Sequence, residues 1–175
     1  PFIYTAAIDK GFPATMRLAD TAVTIRMGDG SLWRPENYDR RFLGWMTMRK
    51  GLAMSRNVVT TNLLQRIGPK VVRNYARRMG ISTPIRPVFS LGMGTSEVKL
   101  TDLASAFGVF PNRGIRVSPV AVLKVSDKGG NVLEERMQGT EEVVLSEATA
   151  AVMTSMMRSV MDMRGGTGRG VRTEY

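Results

Sequence analysis

The sequence contains neither cysteine nor histidine among its 175 residues. Without cysteine, the chain can form no disulfide, no thiolate nucleophile and no zinc ribbon. Without histidine, it lacks the usual general base and the commonest transition-metal ligand. Any acid–base chemistry within the chain therefore falls to lysine, serine, carboxylate or tyrosine side chains.

Long apolar segments are also missing. No apolar run approaches the roughly 18–20 residues that span a bilayer, and no signal-peptide pattern opens the chain. The first residue is Pro1 rather than Met, so we expect a processed or excised piece of a longer protein. With 175 residues and 43% hydrophobic content, the chain is long enough to bury one real core.

The charge is strongly basic, with a net charge of +10 and a pI near 10.7. Such a charge is compatible with nucleic acid or with an anionic envelope surface as partner. The basic residues are scattered in short pairs such as Arg77 and Arg78, and no block of five or six like charges occurs. No aromatic-interleaved RNA-binding signature accompanies them. The pattern favours a solvated basic surface, and no nucleic-acid partner is expected.

Apolar spacing and helix start and stop residues predict a mainly helical chain. The expected N-caps are Thr47, Thr101 and Ser146, and Pro69 occupies the first turn of a helix. Glycine stops follow three of the helices, at Gly11, Gly68 and Gly80. The predicted helices cover residues 2–10, 48–54, 58–67, 69–79, 101–110 and 147–163.

One β-hairpin is predicted with a clear turn. Residues 117–125 are rich in valine, Asp127 to Gly130 form the turn, and residues 131–133 return antiparallel. A short strand is expected at residues 23–25. The segment 33–39 is expected to be an ordered loop that Trp33 and Tyr38 pin to the surface beneath.

A Ser-x-Asn turn, Ser55-Arg56-Asn57, separates two of the predicted helices. Two interpretations are open from these residues alone. Serine and asparagine are favoured helix N-caps. In a kinked turn, however, two short polar side chains two residues apart can also face the same cleft, with Arg56 pointing away.

Five segments occur in one order along the chain. The segments are Pro1-Phe2-Ile3-Tyr4-Thr5-Ala6-Ala7-Ile8-Asp9-Lys10-Gly11, Trp33-Arg34-Pro35-Glu36-Asn37-Tyr38, Ser55-Arg56-Asn57-Val58-Val59, Gly94-Thr95-Ser96-Glu97-Val98 and Gly166-Thr167-Gly168-Arg169. Each motif is modest alone, but their order over about 170 residues is specific. Together they resemble the transpeptidase domain of bifunctional class A penicillin-binding proteins, over essentially the whole chain.

The resemblance implies a fold and its limits. Residues 1–175 would be part of a transpeptidase domain: the helical portion of the penicillin-binding-protein and serine β-lactamase-like fold, mainly α with one β-hairpin. Of the family's three active-site motifs, Ser-x-x-Lys, Ser-x-Asn and Lys-Thr/Ser-Gly, we expect only the second here. The first would end directly before Pro1, and the third would follow Tyr175.

The resemblance also implies a chemistry. A serine outside this chain would attack the penultimate D-Ala carbonyl of a peptidoglycan stem peptide, and an amine of a neighbouring strand would take the acyl group. Ser55 would relay a proton, and Asn57 would hydrogen-bond the motif lysine and the substrate amide. The residues expected to line the substrate groove are Trp33, Asn37, Gly166, Thr167 and Gly168.

The implied setting is the bacterial cell envelope, on the extracytoplasmic face of the inner membrane. The expected partners are the stem peptide, β-lactams and other cell-wall synthesis proteins, with no cofactor and no metal. Lacking the nucleophile, the isolated chain is expected to be inactive. The alternative from another class is a non-catalytic basic module that binds wall polymer, a partner protein or nucleic acid. A related β-lactamase or carboxypeptidase is a third.

Overall fold

The computed structural model describes residues 1–136 and 139–171. Short 3₁₀ segments occur at Phe89–Met93 and Arg169–Val171. The helices are α1 (Phe2–Asp9), α2 (Met48–Ala53), α3 (Asn57–Ile67), α4 (Pro69–Arg78), α5 (Leu100–Gly108) and α6 (Glu147–Asp162). The strands are β1 (Arg17–Asp20), β2 (Ile25–Arg26), β3 (Leu32–Trp33), β4 (Gly44–Thr47), β5 (Ile115–Val117), β6 (Lys124–Ser126), β7 (Val132–Glu135) and β8 (Glu141–Val143).

Helix α1 lies at the centre of the core. Its residues 3–7 are all buried, and the helix packs against α3, α4 and α6. A helix that is apolar all round is typical of such a position, because every face must contact other protein. Gly11 follows with a φ of +87°, which ends the helix where the sequence predicts.

Most of the predicted helix signals are confirmed. The Thr47 hydroxyl accepts a hydrogen bond from the Lys50 N–H at 3.2 Å, and the Ser146 hydroxyl accepts one from the Thr149 N–H at 3.1 Å. Pro69 opens α4. The predicted Thr101 cap is wrong: α5 begins at Leu100 and its N-cap position makes no side-chain hydrogen bond.

The predicted hairpin is confirmed as β6–β7, although its first strand covers only Lys124–Ser126 rather than residues 117–125. Its 127–130 turn is closed by a hydrogen bond from the Gly130 N–H to the Asp127 carbonyl. Three further antiparallel pairs were not predicted: β1–β4, β2–β3 and β5–β8. The strand expected at 23–25 is displaced to Ile25–Arg26, and Trp33 lies in its partner strand. The architecture is that of a helical core with short strand pairs around it, of which β1–β4 contributes Leu18 and Met46 to the core.

The loop 34–41 connects β3 to the segment leading into β4. The prediction that Tyr38 anchors this loop is wrong, because the Tyr38 side chain is fully exposed. Buried polar groups hold the loop instead, with Asn37 only 3% exposed. Within residues 1–136 and 139–171, none of the helices combines the length and hydropathy that crossing a bilayer requires.

Candidate active site

The Ser55 turn closes α2 with a Schellman motif. The Arg56 N–H donates to the Gly51 carbonyl at 2.9 Å, and the Ser55 N–H donates to the Leu52 carbonyl at 3.0 Å. This motif places one residue in the left-handed region, usually a glycine. Here that residue is Ser55, with a φ of +52°. A non-glycine residue in this conformation costs on the order of 1 kcal/mol and often marks a functional site.

The capping interpretation of this serine is wrong. The N-cap position of α3 is Arg56, which makes no side-chain capping bond, and Ser55 lies one residue earlier with an exposed side chain. The cap comes from elsewhere in the chain, because the Asn37 side-chain carbonyl accepts a hydrogen bond from the Val58 N–H at 3.2 Å. Ser55 is therefore free of a helix-capping task.

Asn57 is the first residue of α3, and its amide group is fixed by the loop 34–41. The Asn57 Nδ2 donates to the Glu36 carbonyl at 3.0 Å. Because that partner is an acceptor only, the contact identifies the nitrogen of the amide and leaves Oδ1 as a free acceptor. Among the described residues, Oδ1 makes no hydrogen bond.

Ser55 and Asn57 line one cavity of about 410 Å³. The first residues of α1 form the adjoining wall, so the N-terminal ends of α1 and α3 meet here. Most of the remaining wall is apolar, and a mainly apolar cavity with a few convergent polar groups is typical of a ligand site. Its other lining residues include Leu52, Thr60, Val72, Ile85, Leu91, Ser96, Val98 and Leu103.

Tyr4 lines the same cavity, and its phenol is not a candidate base. Burial raises the pKa of Tyr4 to about 12, although a hydrogen bond with Thr60 opposes this change. The two hydroxyl oxygens lie 2.9 Å apart. Since the Thr60 hydroxyl donates to the Arg56 carbonyl at 3.0 Å, Tyr4 is the donor to Thr60. At neutral pH Tyr4 therefore stays protonated and supports the turn.

Arg56 points away from the cavity, as expected, but it is buried rather than solvated. Its side chain is 6% exposed, and its Nε lies 2.9 Å from a carboxylate oxygen of the completely buried Asp20. Its Nη1 lies 2.9 Å from Asp39, and its Nη2 donates to the Arg41 carbonyl. Sequence reasoning missed this network; the only signal was a charged residue within a turn between apolar helices.

Asp39 and Asn37 complete the network. Hydrogen bonds from Arg56 and from the Arg41 N–H lower the pKa of Asp39. The Asn37 Nδ2 donates to Asp20 at 2.7 Å and to the Arg41 carbonyl at 2.9 Å. With Val58 as a third partner, the Asn37 amide is fully engaged inside the protein.

The other predicted groove residues lie outside the lining of this cavity. Trp33 lies in β3, where it pairs with Ile25 of β2, and Asn37 is buried in the Arg56–Asp20 network. The 166–168 segment contacts the end of α2, where the Thr167 N–H donates to the Ala53 carbonyl at 3.1 Å. A Cβ atom on Gly166 would lie 2.3 Å from the Val160 carbonyl oxygen, so only glycine fits there.

One formal match to the first motif occurs within the chain and was missed. Residues 96–99 read Ser-Glu-Val-Lys. In a helix, residues i and i+3 share a face, but these four residues precede α5 and lie in irregular structure. Ser96 lines the cavity, whereas Lys99 is exposed and does not. The pair therefore lacks the helical geometry that would place a lysine base beside a serine.

Comparisons with known proteins give the same assignment as the motifs. A family model described as the penicillin binding protein transpeptidase domain matches residues 1–175. Penicillin-binding protein 1A from Neisseria lactamica is 34% identical over 178 residues, covering 97% of this chain and 22% of that protein. The chain thus spans about a fifth of the length of this curated relative.

Solved structures share the fold. Penicillin-binding protein 1A from Haemophilus influenzae superposes with a TM-score of 0.87 at 22% identity, over 98% of this chain and 31% of the other. A penicillin G acyl-enzyme complex of penicillin-binding protein A from Mycobacterium tuberculosis has a TM-score of 0.75 at 25% identity, over 90% and 41%. With the family matched from the first residue to the last and the Ser-x-Asn turn facing a cavity, the chain belongs to the penicillin-binding protein transpeptidase family.

Proposed function

We propose that the cavity forms part of a peptidoglycan D,D-transpeptidase site. In this site Ser55 relays a proton, and Asn57 hydrogen-bonds the motif lysine and the substrate amide. One observation carries the proposal: Ser55, Asn57 and the start of α1 line the same cavity. By the resemblance, a Ser-x-x-Lys motif would lead directly into Pro1. Its lysine would then lie at the N-terminal end of α1, beside Ser55.

The proposed reaction begins with attack of the motif serine on the penultimate D-Ala carbonyl. A C–O bond forms, the C–N bond to the terminal D-Ala breaks, and the departing amine needs a proton. The motif lysine takes the proton of the attacking serine hydroxyl. The Ser55 hydroxyl donates its own proton to the departing amine and is reprotonated by that lysine. In the described residues the Ser55 hydroxyl makes no hydrogen bond, so it is available for this exchange.

The Asn57 side chain presents its Oδ1 atom as a hydrogen-bond acceptor. Its Nδ2 is already committed to the Glu36 carbonyl at 3.0 Å. The free Oδ1 therefore presents a lone pair, which suits a lysine ammonium or the N–H of a substrate amide. The same residue thus has one group for its own fixation and one for the reaction.

Binding of β-lactams follows from the same proposal. The Mycobacterium tuberculosis relative forms a penicillin G acyl-enzyme, and a β-lactam amide resembles the D-Ala-D-Ala bond. We propose the same acylation for the complete protein that carries this chain, together with stem-peptide substrates and a place in the bacterial envelope. The net charge of +10 suits a surface near anionic lipids and wall polymers.

The test uses the 175-residue chain and the complete protein in parallel. Each is incubated with a fluorescent penicillin, and intact mass and labelled peptides are measured. We expect stoichiometric acylation of the complete protein and no mass shift of the chain. Labelling of the chain would contradict the proposal, and the peptide map would show whether Ser96 had reacted.

Asn57→Ala in the complete protein tests the site itself. It should slow acylation by roughly ten- to a hundredfold, the range for loss of an oriented polar contact to reacting groups, with an almost unchanged unfolding midpoint. Asn74→Ala is the matched control, since Asn74 is exposed on α4 and its side-chain carbonyl accepts hydrogen bonds from its neighbour Arg73. Unfolding of Asn57→Ala at normal temperature would instead assign the residue a structural role.

A further inference from the structure

We propose that Arg56, the middle residue of the motif, is a positioning residue that holds Ser55 and Asn57 in reactive geometry. This inference rests on the proposed function of the turn. Arg56 acts through Asp20, Asp39 and the loop 36–41, which we call the clamp. The clamp residues do not themselves line the cavity; their effect reaches the site through the backbone of residues 55–58 and through the Glu36 carbonyl, which accepts a hydrogen bond from Asn57.

Ser55 is held in a strained backbone conformation. Ser55 holds a φ of +52°, and a serine in this region persists only where the surrounding structure over-determines it. Its hydroxyl has no hydrogen bond among the described residues, so the side chain does nothing to hold itself. The position of the Ser55 hydroxyl is therefore determined by the contacts of the neighbouring residues.

Arg56 is fixed through both its side chain and its main chain. Its guanidinium contacts Asp20, Asp39 and the Arg41 carbonyl through three different nitrogens. Its backbone carbonyl is held from the opposite side by the Thr60 hydroxyl at 3.0 Å. A planar, rigid donor fork determines orientation as well as distance. Residue 56 is thus pinned at both its side chain and its main chain.

The loop 36–41 links Arg56 to Asn57. The loop that accepts hydrogen bonds from Arg56 also accepts two from the start of α3. The Glu36 carbonyl accepts one from the Asn57 side chain, and the Asn37 side-chain carbonyl accepts one from the Val58 N–H. Asn37 in turn donates to Asp20 at 2.7 Å. Arg56, the loop and the start of α3 are therefore one connected unit, and a shift of the loop would move the Asn57 amide.

The burial of the pair makes the clamp stiff. Arg56 is 5% exposed and Asp20 is 0% exposed. Both Asp20 oxygens are occupied, since Oδ1 accepts from Asn37 and Oδ2 accepts from Arg56 and the Leu43 N–H. A buried network with every polar atom paired specifies a single arrangement. An exposed arginine at position 56 would leave Ser55 free to relax.

The experiment measures acylation of the complete protein by a fluorescent penicillin, resolved into noncovalent binding and the acylation rate constant. Arg56→Met removes the fork and keeps an apolar stem. We expect a roughly ten- to hundredfold slower acylation step, because a displacement of about 1 Å costs that much, with binding nearly unchanged. Arg77→Met, at an exposed α4 position, is the matched control and should behave as wild type.

A double-mutant cycle separates positioning from general stability. If Arg56 acts through the Ser55 hydroxyl, Arg56→Met should slow acylation little further in a Ser55→Ala background. The same cycle is measured in an Asn57→Ala background, and full additivity in both backgrounds would overturn the inference while leaving the roles of Ser55 and Asn57 intact. A Ser55→Ala protein that acylates at the wild-type rate, or a wild type that does not acylate, would overturn the proposed function instead.

Two milder variants cover the case in which Arg56→Met does not fold. Arg56→Lys keeps the charge without the fork, and Asp39→Asn weakens only the partly exposed arm, whose carboxylate is 44% exposed. Each should slow acylation severalfold and raise amide hydrogen exchange at residues 55–58, with α4 still protected. Unchanged exchange and unchanged acylation in both variants would refute the clamp.

Discussion

Two antiparallel strand pairs, β1–β4 and β6–β7, are alike in length but differ in what surrounds them. In β1–β4, Leu18 and Met46 face each other and are 1% and 4% exposed. In β6–β7 every residue is exposed, including Leu133 at 67%. The first pair ends at Asp20 and supports the Ser55 turn, whereas the second is held mainly by its own turn. The comparison shows that pairing alone does not make a strand part of the core.

The largest expected difference between the pairs lies in their ion pairs. Asp20→Ala leaves the buried Arg56 guanidinium without its main partner, and removing one member of a buried pair costs about 3–5 kcal/mol. Glu134→Ala removes the exposed partner of Arg136 in β7 and should change stability little, since exposed pairs contribute little. Urea unfolding of the transpeptidase domain within the complete protein measures both. Equal effects would remove the distinction between the pairs.

Truncation of one leucine in each pair gives the next largest contrast. Leu18→Ala opens a cavity in the core and should lower the free energy of unfolding by about 2–5 kcal/mol. Leu133→Ala, on the exposed pair, should stay within about 0.5 kcal/mol of wild type. Both values come from denaturant midpoints. A large loss for Leu133→Ala would mean that β7 is covered in solution.

Glycine substitutions test how tightly each region is packed. A Cβ atom at Gly51 would lie 2.4 Å from Val59 Cγ1, between α2 and α3. Gly51→Ala should therefore cost about 1–3 kcal/mol through overpacking and also slow acylation, because α2 carries the Ser55 turn.

Gly130, in the turn of β6–β7, is the matched position. It has a φ of +84° and no atom within 4 Å of a built Cβ, so Gly130→Ala should cost only about 1–2 kcal/mol of backbone strain. Acylation should be unaffected. Thermal unfolding and penicillin labelling of the two variants give the comparison, and slower labelling by Gly130→Ala would contradict it.

The smallest expected effect is a difference in pH dependence. Burial alone would raise the pKa of Asp9, but hydrogen bonds from Tyr75, Thr149 and Arg78 outweigh it and lower the pKa. Since the folded-state pKa lies below the unfolded one, this stabilisation is present above roughly pH 4. It is lost as the pH falls through the folded-state value. Asp9→Asn should therefore destabilise at neutral pH and flatten the acid dependence.

Asp127 provides the control in the other region. Hydrogen bonds from Asn131 lower the pKa of Asp127 as well, but they join residues of one turn only. Asp9, in contrast, connects α1 to Tyr75 of α4 and Thr149 of α6. Urea midpoints measured between pH 3 and pH 7 should thus depend on Asp9→Asn more than on Asp127→Asn. The reverse order would show that the hairpin contributes more than its exposure indicates.

The elements that sequence reasoning recovered are those with local causes. Thr47 and Ser146 cap helices through bonds to residues three positions later, and Gly11, Gly68 and Gly80 take the positive φ that follows a helix. The β6–β7 hairpin has a glycine-rich turn between adjacent strands. In each case both partners lie within a few residues, so the local pattern contains the whole interaction.

The elements that were missed have partners far away in sequence. β1 and β4 are separated by 23 residues without a recognisable hairpin turn. Asn37 caps α3 from 21 residues upstream, and Asp20 pairs with Arg56 across 36 residues. Thr101 shows the opposite error, since this favourable capping residue is the second residue of α5, whose N-cap position makes no side-chain hydrogen bond. Propensity is a weak guide where packing decides the boundary.

For the site, the amino-acid sequence alone determined the family, the helical class and the two polar residues of the Ser-x-Asn turn, because each is written in short, contiguous segments. Only the tertiary structure decided that Ser55 is a strained residue just after the C-terminal end of α2 rather than a helix N-cap, and that Arg56 is buried against Asp20. The physical reason is that a φ of +52° and a buried ion pair are stable only when distant segments enclose them. No local pattern of residues carries that information.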